Sequence, residues 1–270
     1  MNRPQSKIIL FLVLTIAFST IVWGPLALGR PPLLGGQGNA LMLMWSPGLA
    51  AIVTRLLTQH DLRGMGWTPR TASMLALALV LPLAYAAPVY LLAWGSGVGG
   101  FDPKAWGSAG DLAVMIGLGV LTGLVAATGE EIGWRGLLVP ELARRMSFRS
   151  LAIVSGVIWA SWHMPMMVLA GYQGQGTPFL FSLACFFAMI TALGAIMAWM
   201  TLKTRSFWPA ALLHATHNLF VQTVFDSATE MSADTAWLTG EFGIGLVVTV
   251  AAAFALLWKF GGTVETHAGA

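Results

Sequence analysis

Ionisable and amide side chains interrupt three otherwise apolar stretches of this sequence. They are Glu130, Glu131 and Arg135 in the first stretch, His163 in the second, and His214 and Asn218 in the third. Charged and polar groups are costly to bury among apolar residues, so those found there usually serve a function. A carboxylate can act as a general base, and an imidazole and an amide can donate hydrogen bonds to one point. These residue types together indicate acid–base chemistry inside an apolar environment.

The two adjacent glutamates are expected to have different surroundings, because consecutive helical residues point about 100° apart. Glu131 and Arg135 are i,i+4 neighbours in the favourable acid-first order, so we expect Arg135 to neutralise Glu131. Glu130 is then the carboxylate without a cationic partner and the candidate general base. The alternative is an ordinary helix end, at which all three charges return to water.

The histidines follow a helical spacing that favours one shared site. His214 and Asn218 are i,i+4 neighbours on one face, whereas His217 either flanks that face or caps a nearby carbonyl. A single helical histidine such as His163 is, taken alone, more often a satisfied core residue than a catalyst. The distance of each residue from one common side of the bundle follows from the helical rise of about 1.5 Å per residue. It is about 22 Å for Glu130, about 20 Å for His163 and about 16 Å for His214. We therefore expect the three motifs to meet at similar depth.

The elements that must position these residues are membrane-spanning helices. Apolar residues make up 57% of the chain and charged residues 9%, against about 25% charged in soluble domains. Crossing a bilayer takes about 20 apolar helical residues, and the alternating segments of a β-barrel are missing from the sequence. We predict an all-α polytopic bundle of about eight transmembrane helices around a polar cavity. The predicted spans are 8–28, 40–57, 72–94, 111–131, 150–170, 179–201, 208–225 and 242–260.

The chain divides into three regions of one integral membrane domain. Residues 1–110 hold three helices and their loops, 111–225 hold all three motifs, and 226–270 hold an outer loop, the last helix and a tail. The span at 8–28 exceeds the 7–15 apolar residues of a signal peptide, which favours an uncleaved anchor over a cleaved signal. Pro140 is expected to end or bend the fourth helix. The sole cysteine excludes an intrachain disulfide and a multi-cysteine zinc site.

The distribution of basic residues predicts the orientation of the bundle. With the N-terminus inside and eight helices, eleven of the fourteen Lys and Arg residues fall inside and two fall outside. We therefore expect both termini in the cytoplasm. The formal net charge of only +3 gives no indication of nucleic-acid binding.

The three motifs in order resemble those of the CPBP intramembrane proteases. The matching patterns are EExxxR at 130–135, an aromatic residue four positions before a histidine (Trp159, His163), and HxxxN at 214–218. The stretch 205–214 also resembles the lead-in to the family's third motif. The resemblance covers about 111–225, and Trp159 stands where the family often has phenylalanine. The family includes the type II CAAX prenyl endopeptidases and bacterial relatives linked to bacteriocin processing or immunity.

The resemblance implies an intramembrane endopeptidase acting on a peptide or membrane-protein substrate, in a bacterial inner membrane for the bacterial relatives. Glu130 and His163 would activate a water molecule. His214 and Asn218 would stabilise the oxyanion as two neutral donors, usually the largest catalytic contribution. The cleavage sequence, prenylation of the substrate and the cofactor stay open.

Metal dependence has two alternatives. Glu130, His163 and His214 would make a two-histidine, one-glutamate zinc site with an open position. The HExxH motif of zinc proteases is absent, however, and Glu131 is committed to Arg135, so a zinc mechanism would lack a base. This count of roles favours catalysis without metal.

Other classes of membrane protein fit the sequence less well. A scaffold or immunity protein could use the same cavity to bind a partner peptide or helix without cleaving it. A transporter would usually show repeat symmetry, which is missing here. The GxSG motif of rhomboid proteases and the GxGD motif of presenilins are also missing from the sequence.

Overall fold

A computed structural model of the protein describes residues 4–31, 33–232, 234–264 and 266. Most of these residues are helical. The α-helices are α1 (Pro4–Ala27), α2 (Gly36–Gln59), α3 (Ala72–Ser96), α4 (Ala109–Gly133), α5 (Val139–Ala143), α6 (Phe148–Ala170), α7 (Phe179–Thr204), α8 (Trp208–Asn218), α9 (Thr235–Leu238) and α10 (Ile244–Gly261). Two-residue strands β1 (Gly100–Phe101) and β2 (Thr229–Glu230) pair antiparallel, with Gly100 opposite Glu230.

Seven helical segments of the described chain are long and apolar enough to cross a membrane, so the predicted all-α polytopic bundle is confirmed. The eighth predicted span, 208–225, is helical throughout as α8 followed by a π-helix at Leu219–Phe225. Its histidines, amides and Trp208 make it less apolar than the other seven. Most of its residues are buried, so it forms the interior of the bundle with α7 and the end of α4.

Local sequence signals set the ends of the helices that carry the motifs. At the start of α4, the Ser108 and Asp111 side chains each accept a hydrogen bond from the other's backbone N–H, which is a capping box. Helix α6 begins after Ser147, whose hydroxyl accepts from the Ser150 N–H, and ends at Gly171 with φ +66°. These caps fix which residues of each helix lie at the depth of the site.

Pro140 was expected either to end the fourth helix or to bend it. The helix does not end there. A π-helix at Trp134–Leu138 links α4 to α5, and the helical segment runs without a break from Ala109 to Ala143. The Val139 N–H donates to the Trp134 carbonyl across this π-helix, and Pro140, which has no N–H, lies in the first turn of α5. π-Helical turns are frequent at functional sites, and this one directly follows the two glutamates.

Helices α2 and α4 touch through their backbones beside the first motif. A Cβ atom on Gly129 would lie 2.7 Å from the Trp45 Cα, and one on Gly48 would lie 2.4 Å from the Gly129 carbonyl oxygen. Only glycine permits such an approach, which is typical of close helix pairs in membranes. This contact fixes the position of Glu130, the residue after Gly129, against α2.

Candidate active site

One cavity of about 230 Å³ brings the predicted catalytic residues together, and we name it the acid–histidine cavity. Glu130 reaches it from α4, His163 from α6, and His214 and Asn218 from α8. The rest of its wall is mainly apolar and aromatic. Residues from three separate motifs therefore share one small space, at the similar depth expected from helical rise.

Glu130 is 1% exposed and is held by two indole groups. Its Oε2 atom accepts a hydrogen bond from Trp159 Nε1 at 2.7 Å and a longer one from Trp134 Nε1 at 3.3 Å. Within the described residues, no Lys, Arg or His nitrogen lies within 4.0 Å of its carboxylate. Tryptophan at position 159 thus gives the second motif a donor that phenylalanine could not provide.

Glu131 contacts both the cation of its own helix and a histidine of α8. Arg135 lies 2.9 Å from one carboxylate oxygen, and His214 Nδ1 lies 2.9 Å from the other. Glu131 is 0% and Arg135 2% exposed, and the guanidinium stacks over the Trp159 ring at 4.3 Å. The carboxylate therefore links the α4 ion pair to the first histidine of the third motif.

Hydrogen bonds fix the protonation of one ring nitrogen in His163 and in His214. His163 Nδ1 lies 2.9 Å from the Trp159 carbonyl oxygen, which can only accept, so this nitrogen carries the hydrogen. His214 Nδ1 faces the Glu131 carboxylate and carries a hydrogen for the same reason. In both rings, Nε2 is the atom left to interact with water or a ligand.

A second polar cluster, which the sequence reasoning missed, forms another part of the cavity wall. His217 joins the Tyr85 hydroxyl at 2.7 Å through Nδ1 and Glu241 Oε1 at 3.1 Å through Nε2, instead of capping a carbonyl. The Tyr172 hydroxyl donates to the other oxygen of Glu241. The chain has only three tyrosines, and each hydroxyl bonds to a histidine or an acid, with Tyr90 donating to Asp226. These few tyrosines were the signal in the sequence that could have pointed to the cluster.

The acids of this cluster lie outside the membrane-spanning segments and have strongly shifted pKa values. Burial disfavours ionisation of Glu241, but hydrogen bonds from His217, Tyr172 and Gln222, together with the His217 charge, lower its pKa to about 2. Burial raises the pKa of Asp226 to about 6, although the Tyr90 hydrogen bond opposes the shift. Burial and then the Glu241 charge raise the pKa of Tyr172 well above 10.

The donor types of the cavity suit zinc, but their spacing does not. Glu130, His163 and His214 are chemically suitable, and each imidazole has its Nδ1 anchored as zinc-bound histidines usually do. Nevertheless, no three His, Cys, Asp or Glu side chains of the described residues lie close enough together to hold a metal ion. These residues as placed do not fit a zinc site.

The fold and the cavity together define a polytopic helical membrane protein with a buried carboxylate, imidazole and amide site. Comparison with known proteins narrows this class. A model of the family "Type II CAAX prenyl endopeptidase Rce1-like" matches residues 112–220, which contain all three motifs. The chain is also 36% identical over 100 residues to the CAAX prenyl protease 2 of Methanococcus maripaludis.

The alignment with the archaeal protein covers 36% of this chain and 36% of the relative, so it spans about a third of the relative's length. The family match falls on the region for which the motifs predicted a family. It confirms the resemblance of the 112–220 segment to the CPBP intramembrane proteases, and the relative's name agrees with that family.

Proposed function

We propose that this protein is an intramembrane endopeptidase that hydrolyses a peptide bond with a water molecule activated by Glu130. The observation that carries the proposal is the convergence of Glu130, His163, His214 and Asn218 on one cavity. A buried carboxylate without a cationic partner, beside two imidazoles and an amide, has the groups that peptide hydrolysis requires. The family resemblance of this segment supports the same chemistry.

In the proposed reaction, Glu130 removes a proton from a water molecule that also donates a hydrogen bond to His163 Nε2. The water oxygen forms a bond to the carbonyl carbon of the substrate, and the carbonyl oxygen becomes an oxyanion. Glu130 then gives its proton to the leaving nitrogen as the carbon–nitrogen bond breaks. The indole donors of Trp134 and Trp159 orient the carboxylate throughout, because both bind the same oxygen.

His214 and Asn218 stabilise the oxyanion in this scheme. Since His214 Nδ1 already donates to Glu131, only Nε2 can donate to the substrate, and an imidazole with hydrogens on both nitrogens is an imidazolium. The expectation of two neutral donors is therefore revised to one cationic and one neutral donor. The Glu131 carboxylate, which also pairs with Arg135, stabilises that cation.

The proposed substrate is a peptide segment or membrane protein that is apolar around the cleaved bond. Apart from its polar groups, the cavity is lined by side chains such as Leu43, Met44, Phe186 and Ile190. Polar flanking residues would lose hydration without gaining partners against these side chains. We also propose that both termini lie in the cytoplasm, because the basic residues are concentrated on that side of the bundle.

Quenched-fluorescence peptides with apolar residues around the cleaved bond test this proposal on the purified protein in lipid nanodiscs. Glu130→Gln and His163→Ala should abolish cleavage, whereas His214→Ala and Asn218→Ala should lower kcat about 100-fold with little change in KM. Glu230→Gln, at an exposed position of strand β2, is the matched control and should cleave normally. Cleavage by Glu130→Gln at the normal rate would contradict the proposal and favour a scaffold.

The same preparation distinguishes metal-free catalysis, which we propose, from zinc catalysis. Elemental analysis should show no stoichiometric zinc, and chelation should leave the cleavage rate unchanged. Zinc bound at one atom per chain, with activity lost on chelation and restored by zinc, would contradict this part of the proposal.

A further inference from the structure

A second cavity, of about 1420 Å³, lies at the end of the bundle that carries the basic loops. It is lined by the end of α2, the 61–70 loop, α5 and the α7–α8 turn, together with Thr263, Val264 and Thr266, and we name it the basic cavity. Its basic lining residues are Arg55, Arg63, Arg70, Arg135, Arg144, Lys203 and Arg205, and its acidic ones are Asp61 and Glu141. The lining is therefore strongly cationic.

Several cations of the basic cavity have no acidic partner in the described structure. Arg55 pairs with Asp61 at 3.2 Å, and Arg144 pairs with Glu141 at 3.6 Å. Arg135 pairs with Glu131, which does not itself line the cavity. The other four basic side chains lie more than 4.0 Å from any described carboxylate, so the cavity has an excess of positive charge. They are Arg63, Arg70, Lys203 and Arg205.

Buried polar atoms without partners are concentrated around the same cavity. Of the eight such side-chain atoms among the described residues, five belong to residues that line it. They are Nε of Arg55, Oε1 of Gln59, Nε of Arg135, Oε2 of Glu141 and Oγ1 of Thr201. A buried polar atom left unpaired costs about 1–3 kcal/mol, so the residues around this cavity are rich in unsatisfied polar groups. The set includes both donors and acceptors.

The wall of the basic cavity is built by specific contacts. The 61–70 loop is fixed to the α7–α8 turn, where the Gly66 carbonyl accepts from the Phe207 N–H at 3.4 Å and the Trp67 carbonyl accepts from Trp208 Nε1 at 2.6 Å. Met65 of this loop is 1% exposed. The cationic groups are thus held around a preformed space, whereas Arg145 and Arg149 at the same end do not line it.

We infer that the basic cavity binds the phosphate of an anionic phospholipid whose headgroup carries hydroxyl groups. The four unpartnered cations suit phosphate oxygens, and polar side chains of the same lining, such as Gln59 and Thr68, can hydrogen-bond to headgroup hydroxyls. Basic pockets at the cytoplasmic end of membrane helices meet the leaflet that is rich in anionic lipid. The inference uses the proposed orientation of the bundle but does not depend on the proposed peptidase activity.

Phosphate binding in the basic cavity would also affect residues of the acid–histidine cavity. Arg135 lines the basic cavity, pairs with Glu131, and Glu131 in turn contacts His214 of the other cavity. The two cavities therefore lie on either side of one buried three-residue chain of contacts. A phosphate beside Arg135 is expected to stabilise the bundle against thermal unfolding.

Native mass spectrometry and thermal unfolding of the detergent-purified protein test this inference. Phosphatidylglycerol is titrated against phosphatidylcholine with the same acyl chains, and glycerol phosphate and inorganic phosphate serve as soluble probes. We expect one phosphatidylglycerol to bind with saturation and raise the Tm, and phosphatidylcholine to do neither. If soluble phosphate raised the Tm as much as phosphatidylglycerol does, the cavity would be a phosphate site, but the inference that a lipid supplies the phosphate would be overturned.

Charge variants separate a built site from general surface attraction. The double variant Arg63→Gln with Arg205→Gln should weaken phosphatidylglycerol binding roughly 30-fold, at about 1 kcal/mol for each basic residue. The matched control, Arg145→Gln with Arg149→Gln, removes the same charge from the same end of the bundle and should bind normally. Equal losses in the two variants, or equal binding of both lipids to the unaltered protein, would overturn the inference.

Discussion

Replacing Arg135 with methionine isolates the ion pair that links the two cavities. Methionine keeps much of the length of the side chain but donates no hydrogen bond, so Glu131 loses the cation that lies 2.9 Å away. The carboxylate is 0% exposed, so water cannot replace that cation. His214 is then the only basic group left within 4.0 Å of Glu131 among the described residues.

The expected loss of folding stability is large because both charges are buried. Removing one partner of a buried pair costs about 3–5 kcal/mol, out of a total stability of about 5–15 kcal/mol. The Arg144–Glu141 pair provides a matched control, since Arg144 is 58% exposed and such pairs contribute about 0–1 kcal/mol. Arg135→Met should therefore unfold at a much lower temperature than Arg144→Met, which should be close to the unaltered protein.

Thermal unfolding of the detergent-purified variants, with yield of monodisperse protein as a second readout, measures this difference. The double variant Glu131→Gln with Arg135→Met should recover much of the lost stability, because it buries no unpaired charge. Its neutral amide oxygen still accepts a hydrogen bond from His214. A double variant as unstable as Arg135→Met, or an Arg144→Met variant that loses as much, would refute this explanation of the ion pair.

Three further predictions follow from other contacts and from the charge distribution. Trp159→Phe should lose more stability than Trp134→Phe in thermal unfolding, because the two indoles donate to the same carboxylate oxygen at 2.7 and 3.3 Å; equal losses would contradict this. Asp226→Asn should stabilise the protein by up to about 3 kcal/mol at pH 8 and by little below pH 4. The reason is that the pKa of Asp226, raised to about 6 in the folded protein, makes the stability of the unaltered protein fall as the pH rises between about 4 and 6. A stability difference independent of pH would contradict this. Cysteines introduced in 226–240 should react with impermeant reagent from outside and those in 58–70 from inside, and the reverse pattern would overturn the proposed orientation.

The helical fold was predictable from the sequence because hydropathy and caps act locally. The predicted span at 150–170 lies within Phe148–Ala170, which begins after the Ser147 cap. The fourth helix is longer than expected, since the π-helix at Trp134–Leu138 carries the chain past Pro140 to Ala143. Nothing in the residue pattern specifies this i,i+5 bonding, which depends on packing against neighbouring helices.

The candidate site was predictable where its residues share a helix and was missed where they do not. Glu131 and Arg135 are neighbours on one turn, so their contact follows from spacing. The bonds of His217 to Tyr85 and Glu241 join residues 132 and 24 positions apart, and helix packing alone brings them together. For the same reason, the sequence could not show that His214 has its Nδ1 committed to Glu131.

The most direct test of the central claim compares peptide termini in membranes that contain the unaltered protein and membranes that contain equal amounts of Glu130→Gln. Glutamine keeps the size and polarity of the side chain but cannot take a proton from water, so the cavity remains while the base is lost. We predict peptide termini within or next to apolar segments that occur only with the unaltered protein. Identical sets of termini in the two membranes, at equal protein levels, would contradict peptide hydrolysis by Glu130.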